Sequence, residues 1–344
     1  MTLSATRRRI AVLHTGGTIG MRRTPRGFAP FEDFPAVLAA ALEPLAVGLP
    51  LFDIRAFATP IDSSEATPAD WLALAGALVG LWADYDGFVV LHGTDTMAFS
   101  AAALSFMLRA LDKPVILTGA QIAMSVEGSD GLGNVVTALR FAAQPGLREV
   151  CIAFDGQLLR GNRATKVSTR RVAAFACPDF EPLGRIVDGV PVLEAGLLLP
   201  KAASAPVFDL PPATCGLVAS LRFVPGLAPA ALEACLEAAP RAIILECYGS
   251  GNVPSLNGAT AAFLAKTRER GIAVVARTQV FNGGTSPGAY AAGSLLTDHG
   301  VIDGGDMTFE ASYAKLCHLT AQNADTSAIA TAFTRNWAGE RSYT

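Results

Sequence analysis

Residues 87–117 read GFVVLHGTDTMAFSAAALSFMLRALDKPVIL, and this stretch decides the fold. Gly87 to Leu91 is a short, valine-rich apolar run, the composition of a strand buried on both faces. Polar residues follow from His92 to Thr96. An Ala/Leu-rich pattern of helical length then runs from Met97 to Leu111, and Pro114 to Leu117 opens a second apolar run. Strand, helix, strand is a βαβ unit, and it implies neighbouring parallel strands. The same alternation extends outward. Upstream lie the strand Ile10 to Leu13 and helices from Pro35 to Leu42 and Pro68 to Trp82. Downstream lie the helix Leu132 to Ala143 and the strand Val150 to Phe154.

Between positions 191 and 212 the alternation lapses. Pro191, Pro200, Pro206, Pro211 and Pro212 punctuate it, which is the pattern of a linker. Beyond it come the strands Leu217 to Ser220, Ala242 to Leu245 and Ile272 to Ala276, and the helices Pro229 to Ala239, Ala259 to Arg270 and Pro287 to His299. The expected fold class is therefore α/β with two domains. A larger N-terminal domain (1–190) would hold a mostly parallel sheet flanked by helices. A linker (191–212) would join it to a smaller C-terminal α/β domain (213–344). A length of 344 residues suits two domains.

Composition narrows the function classes. Apolar residues make up 51% and charged residues 17%, with a net charge of −3. The one basic run, Arg7-Arg8-Arg9, is too short for a nucleic-acid face, so no nucleic-acid partner is expected. The apolar stretch after it stops at His14, short of a secretory core, and no run reaches the length of a membrane span. Six cysteines without CxxC pairing, several inside apolar segments, point to free thiols in a reducing, cytoplasmic compartment.

The chemistry-bearing residues follow strands. The first strand runs into His14-Thr15-Gly16-Gly17-Thr18-Ile19-Gly20, and Phe88 to Leu91 runs into His92-Gly93-Thr94-Asp95-Thr96. In open α/β sheets ligands bind beyond the carboxyl ends of strands, so both segments should face one crevice. Each has a plainer reading. A Gly-rich turn often packs a helix or holds a phosphate, but neither GxGxxG nor GxxxxGK[ST] is present. Thr94-Asp95-Thr96 alone would serve as a helix N-cap, Asp95 accepting backbone N–H bonds.

Taken together, the segments carry a resemblance. Thr15-Gly16-Gly17-Thr18-Ile19-Gly20 and His92-Gly93-Thr94-Asp95-Thr96-Met97 resemble the two signatures of bacterial-type L-asparaginases. Asp62-Ser63-Ser64, Thr118-Gly119-Ala120 and Arg160-Gly161-Asn162-Arg163-Ala164-Thr165-Lys166 match in order. So do Tyr248-Gly249-Ser250-Gly251-Asn252 and Gly304-Gly305-Asp306-Met307-Thr308, and the match is closest to the cytoplasmic type I branch.

The resemblance implies roles. Thr18 would be the nucleophile of an acyl-enzyme ester, with Thr94, Asp95 and Lys166 supporting proton transfer. Asp62, Ser63 and Ser64, with Thr94 and Asp95, would hold the α-amino and α-carboxylate groups of a small substrate, asparagine and more weakly glutamine. The Ala120 carbonyl would receive the leaving ammonia. No cofactor or metal is implied, and a homodimer or homotetramer is. A threonine hydroxyl is a weak nucleophile until a neighbour takes its proton. Lysine can take it where burial removes its charge, whereas a nearby carboxylate holds it charged. Both influences would act on Lys166, and both readings stand at this point. Outside the resemblance, a lysine following Arg160 and Arg163 is ordinarily a surface charge.

Two departures stand out. The family carries a tyrosine on the loop after the first signature where this chain has Phe28, either a packing residue under a lid or a site lacking one relay hydroxyl. Glu246 stands where type I enzymes can carry an arginine that binds an allosteric asparagine, which puts that form of activation in doubt. Among competing motifs, Gly284-Thr285-Ser286-Pro287-Gly288 fits the GxSxG elbow but lies well past the nearest strand, so Ser286 reads better as a helix cap. The four histidines lack metal-ligand spacing, and His14 and His92 read as hydrogen-bonded structural groups. Two alternatives to an asparaginase are weighed. One is the related amidotransferase subunit that supplies ammonia for tRNA charging, which usually carries an extra N-terminal domain. The other is an amino-acid sensor that binds without turnover, motivated by Phe28.

Overall fold

A computed structural model describes residues 7–31, 33–213, 217–286 and 291–342. The chain divides into two compact units, the first ending at Leu210 and the second beginning at Pro211. The first is built on a mostly parallel sheet and the second on a parallel one.

In the first unit eight strands form one sheet, in the order Val190–Leu193, Gly184–Val187, Gln157–Arg160, Val150–Phe154, Val115–Thr118, Gly87–Leu91, Arg9–His14 and Leu51–Ala56. The last five are mutually parallel, and the first three add an antiparallel meander at one edge. All five residues of Gly87–Leu91 and of Val150–Phe154 are buried, as continuous apolar runs predict for strands covered on both faces. Leu51–Ala56 escapes the sequence reading because it is an edge strand. Asp53 and Arg55 break its apolar run, and Arg9 pairs with Asp53 at 2.7 Å across the edge.

The helices largely follow expectation: Phe34–Leu42, Pro68–Gly80, Gly131–Ala142. Pro68 at N1 and the reciprocal Thr67–Asp70 capping box fix the start of the second. The helix expected over Met97 to Leu111 ends earlier, at Met107. No glycine stops it. Leu108–Arg109 turns extended to pair with Val207–Phe208, and Arg109 meets Asp209 at 3.0 Å. Tertiary pairing overrides helical propensity here.

That pairing also changes the picture of 191–212. Val190–Leu193 is the sheet's outer strand, and Val207–Phe208 is bonded to the helix end. A buried Arg160–Glu149 pair, 2.6 Å apart, bonds the Leu197 carbonyl and the Leu199 amide. Prolines suppress helix in this segment but leave extended backbone available, so it is stitched onto the first unit instead of hanging as a linker.

The second unit holds four parallel strands, Val218–Arg222, Ala242–Cys247, Ala273–Thr278 and Ile302–Asp303. Its helices are Pro229–Glu237, Ala259–Glu269, Ala291–Asp298, Phe309–Ala321 and Thr326–Thr334. The start of the helix expected from Pro287 lies outside the described residues. Phe223, Ile243, Leu245 and Phe263 centre this unit's own core. No helix among the described residues is long and apolar enough to cross a membrane.

Candidate active site

Arg9–His14 and Gly87–Leu91 are adjacent and parallel, so both open at the same edge of the sheet. They also flank the point where strand order reverses. From Arg9–His14 the chain goes outward to Leu51–Ala56 on one side, then returns to Gly87–Leu91 on the other. This is where an open α/β sheet leaves a crevice for a ligand.

Backbone contacts draw the two signature loops together. Thr15 spends both its amide and its hydroxyl on the Leu91 carbonyl, at 3.0 and 2.8 Å. Gly17 adopts φ 90°, and a Cβ there would lie 2.5 Å from the Gly93 amide nitrogen. Only glycine permits that conformation and that approach. Gly17 thus sits on Gly93, and Thr18 and Thr94 are the next residues in the two loops. Thr18 opens the short 3-10 turn Thr18–Gly20 and is half-buried. Among the described residues no hydrogen bond uses its hydroxyl.

Thr94, Asp95 and Lys166 form one hydrogen-bonded group. Lys166 Nζ donates to Thr94 Oγ1 at 2.9 Å and to Asp95 Oδ1 at 2.7 Å. Lys166 comes from the two-residue strand Thr165–Lys166, pinned antiparallel to Phe175–Ala176. Asp95 therefore does not cap the following helix. The N-cap is Thr96, whose hydroxyl turns away to the Ser63 carbonyl at 2.7 Å. Thr94 in turn donates to Gln121 Oε1 at 3.2 Å.

The remaining sequence candidates border the same loops. Asp62 caps the turn Ser63–Glu65, accepting the Ser64 amide at 3.0 Å and its hydroxyl at 2.9 Å. Ser63 is buried against Gly93, where an added Cβ would come within 2.2 Å of its hydroxyl. Ala120 is buried next to Gln121. Asp130 holds that turn by accepting the amides of Gln121 and Ile122 at 3.0 and 2.9 Å.

The two histidines differ. His92 Nδ1 meets the Gly93 carbonyl at 2.7 Å and Nε2 meets Ser100 Oγ at 3.0 Å, a bonding pattern of the neutral ring, and burial lowers its pKa. His14 departs from expectation: its Nε2 is buried without a partner, facing Gly20, and burial lowers its pKa to about 4.

Elsewhere, Phe28 lies on the hairpin Met21–Thr24/Gly27–Pro30, 46% exposed, with Arg23 5.9 Å from its ring centre. It is no packing residue in the isolated chain. Glu246, in the second unit, sits between Arg222 and Arg277 at 3.4 and 3.5 Å. In the GxSxG-like segment Thr285 is buried and bonded to Asp303, while Pro287 and Gly288 lie outside the described residues. Cys151 and Cys247 are buried free thiols, and burial pushes the latter up to about 12. Among the described residues no group of three or more His, Cys, Asp or Glu side chains could hold a metal ion.

The structure thus gathers Thr94, Asp95 and Lys166 directly, packs Gly17 of the first signature loop on Gly93 of the second, and brings Ser63 against Gly93. Sequence reading missed Gln121 and Asp130. The signal was thin: a single amide after Thr118-Gly119-Ala120, and one aspartate opening a helix.

Known proteins resemble this chain in both of its units. Residues 9–196 match the family model described as "Asparaginase, N-terminal", and residues 217–333 match "Glutaminase/Asparaginase C-terminal domain". The chain is 40% identical over 341 residues to "L-asparaginase 1" of Escherichia coli strain K12, covering 96% of this chain and 97% of that protein. It is 32% identical over 345 residues to a glutamyl-tRNA(Gln) amidotransferase component of Methanopyrus kandleri, covering 96% and 74%. The crystal structure of L-asparaginase I from Vibrio cholerae superposes with a TM-score of 0.89 at 35% identity, covering 98% of this chain and all of that one.

Proposed function

The chain belongs to the asparaginase family, and on that footing we propose that it is an L-asparaginase, hydrolysing L-asparagine to L-aspartate and ammonia, with Thr18 as nucleophile. The observation that carries the site assignment is the position of Lys166 Nζ on both Thr94 Oγ1 and Asp95 Oδ1, beside the Gly17–Gly93 contact.

The residues divide the work. Asp62, Ser63 and Ser64, with Asp95, hold the substrate's α-ammonium and α-carboxylate: carboxylates pair with the ammonium and hydroxyls cradle the carboxyl group. Thr18 Oγ1 attacks the side-chain amide carbon, and its proton passes toward Thr94 and Lys166. Backbone N–H groups around Gly16 to Thr18 and at the start of the helix after Thr96 are the candidate donors to the developing oxyanion. Collapse breaks the C–N bond. Nitrogen takes the proton and leaves as ammonia past the Ala120 carbonyl. Water then attacks the Thr18 ester, releases aspartate and restores the hydroxyl.

In this reading the N-terminal domain is catalytic, glutamine is a weaker substrate, the protein works in the cytoplasm, and it assembles as a homodimer or homotetramer. An ammonia-supplying amidotransferase role is less favoured, since the asparaginase relative is the more similar of the two. A sensor without turnover would leave the Lys166 network unused.

Ammonia release from asparagine by wild type and Thr18→Ala tests the proposal. Loss of an acyl-forming nucleophile should lower kcat by roughly a thousandfold or more, with the fold unchanged. A Thr18→Ala enzyme turning over at the wild-type rate would refute the assignment, and an inert wild type would refute the activity.

A further inference from the structure

Gln121 ties three parts of the site together, and its amide can point only one way. Its Nε2 lies 3.2 Å from the Ser168 carbonyl and 3.3 Å from the Arg171 carbonyl. Both are pure acceptors, so the nitrogen must face them and the oxygen must face Thr94. The turn carrying those carbonyls is itself fixed, because Ser168 Oγ accepts the amides of Arg170 and Arg171 at 3.1 and 2.9 Å. It directly follows the Lys166 strand. At its other end the Gln121 backbone is held by Asp130, which also accepts from Asn134 Nδ2 at 3.0 Å.

This fixes a proton. The Thr94 hydroxyl has one hydrogen. Lys166 as an ammonium can only donate, and it donates to Thr94 Oγ1. The Thr94 hydrogen must then point at Gln121 Oε1, 3.2 Å away, with a lone pair toward Lys166.

We infer that Gln121 is a positioning residue whose side-chain oxygen takes the Thr94 hydrogen and so keeps a Thr94 lone pair turned toward Lys166. This rests on the proposed role of Thr94, Asp95 and Lys166 in proton transfer. Removing the acceptor lets the Thr94 hydroxyl rotate, so the alignment of Thr94 with Lys166 is lost in part of the population and kcat should fall.

Gln121→Met keeps side-chain length and removes the amide. Loss of one neutral hydrogen bond should lower kcat by roughly three- to tenfold, with KM for asparagine changed less than about twofold. Gln121→Leu serves as a second variant, and thermal melting of each establishes that it folds. A folded variant whose kcat stays within twofold of wild type, or whose KM rises as much as its kcat falls, overturns the inference and makes Gln121 a packing residue. Unfolding of both variants overturns it in the same way. Wild type lacking ammonia release refutes the catalytic reading itself, and an active wild type with an unchanged variant kcat refutes only the role of Gln121.

Discussion

Gly93→Ala should disable the site through a collision with a visible address. The glycine's φ is not in the left-handed region, so alanine is tolerated by its backbone. The obstacle is Ser63: the new methyl would stand 2.2 Å from its Oγ and 2.6 Å from its Cβ. The hydroxyl can rotate away, but the Cβ cannot. Restoring ordinary contact requires the Ser63 backbone to retreat by roughly 1 Å, since carbons pack at about 3.5–4.0 Å. That backbone is anchored, because the Ser63 carbonyl accepts the Thr96 hydroxyl at 2.7 Å. The shift therefore passes into the Asp62–Ser64 turn and the start of the Met97–Met107 helix. A displacement of about 1 Å at a positioning element costs on the order of a hundredfold in rate. That corresponds to about 2.7 kcal/mol of transition-state stabilisation. Steady-state ammonia release should show kcat/KM down by that factor. The companion variant Ser63→Gly removes the obstructing atoms, after which the nearest neighbour is Gly17 Cα at 3.4 Å. In a double-mutant cycle Gly93→Ala/Ser63→Gly should match Ser63→Gly alone, giving a coupling of about 2.7 kcal/mol. Gly76→Ala, in a helix with open space around it, is the neutral control. Gly93→Ala activity within threefold of wild type, or a double variant no better than Gly93→Ala, would refute the reasoning.

Two further outcomes are expected. His14 has a folded-state pKa of about 4 against an ordinary 6.5, so below pH 6.5 the unfolded chain binds a proton that the folded chain refuses. Stability should then fall as pH drops from about 6.5 toward 4, by about 2–3 kcal/mol from this group, with nothing further lost below its folded value. His14→Phe should flatten that slope in urea melts at pH 7, 5.5 and 4.5; an unchanged slope would mean that the ring is not held neutral by burial. Phe28→Tyr restores a hydroxyl on the exposed hairpin. It should raise kcat or leave it unchanged, with stability altered by less than about 0.5 kcal/mol. A clear fall in kcat with intact melting would count against a missing relay hydroxyl.

Much of this was legible in the sequence because buried parallel strands cannot hide their composition. Gly87–Leu91 and Val150–Phe154 carry no polar residue to blur the pattern. What stayed hidden was set by partners distant in the chain. Leu51–Ala56 carries two charged residues, Asp53 and Arg55, because it has one neighbour, and the Met97–Met107 helix ends early because a segment about a hundred residues later pairs with its end. The candidate site shows the same division. Thr18, Thr94 and Asp95 stand in glycine-marked loops directly after strands, where residue type and position coincide. Gln121 has no such marker, since its meaning comes from two carbonyls, at 168 and 171, that no local pattern foretells.

Two lysine–carboxylate pairs show how one chemistry serves opposite ends. Lys315 and Glu340 are 0% exposed. The ammonium also donates to the Phe333 carbonyl, and the carboxylate accepts the Trp337 and Ala338 amides. Removing either partner would strand a buried charge at about 3–5 kcal/mol, so this pair clasps the helix Thr326–Thr334. Lys166 and Asp95 lie at a similar distance, 2.7 Å, but Asp95 is 63% exposed. Water screens its field, and such a pair contributes about 1 kcal/mol or less. In the proposed mechanism Asp95 turns to a substrate ammonium, and a pair this weak can break for that without the fold giving way. The two pairs differ in exposure, not in residue type or distance.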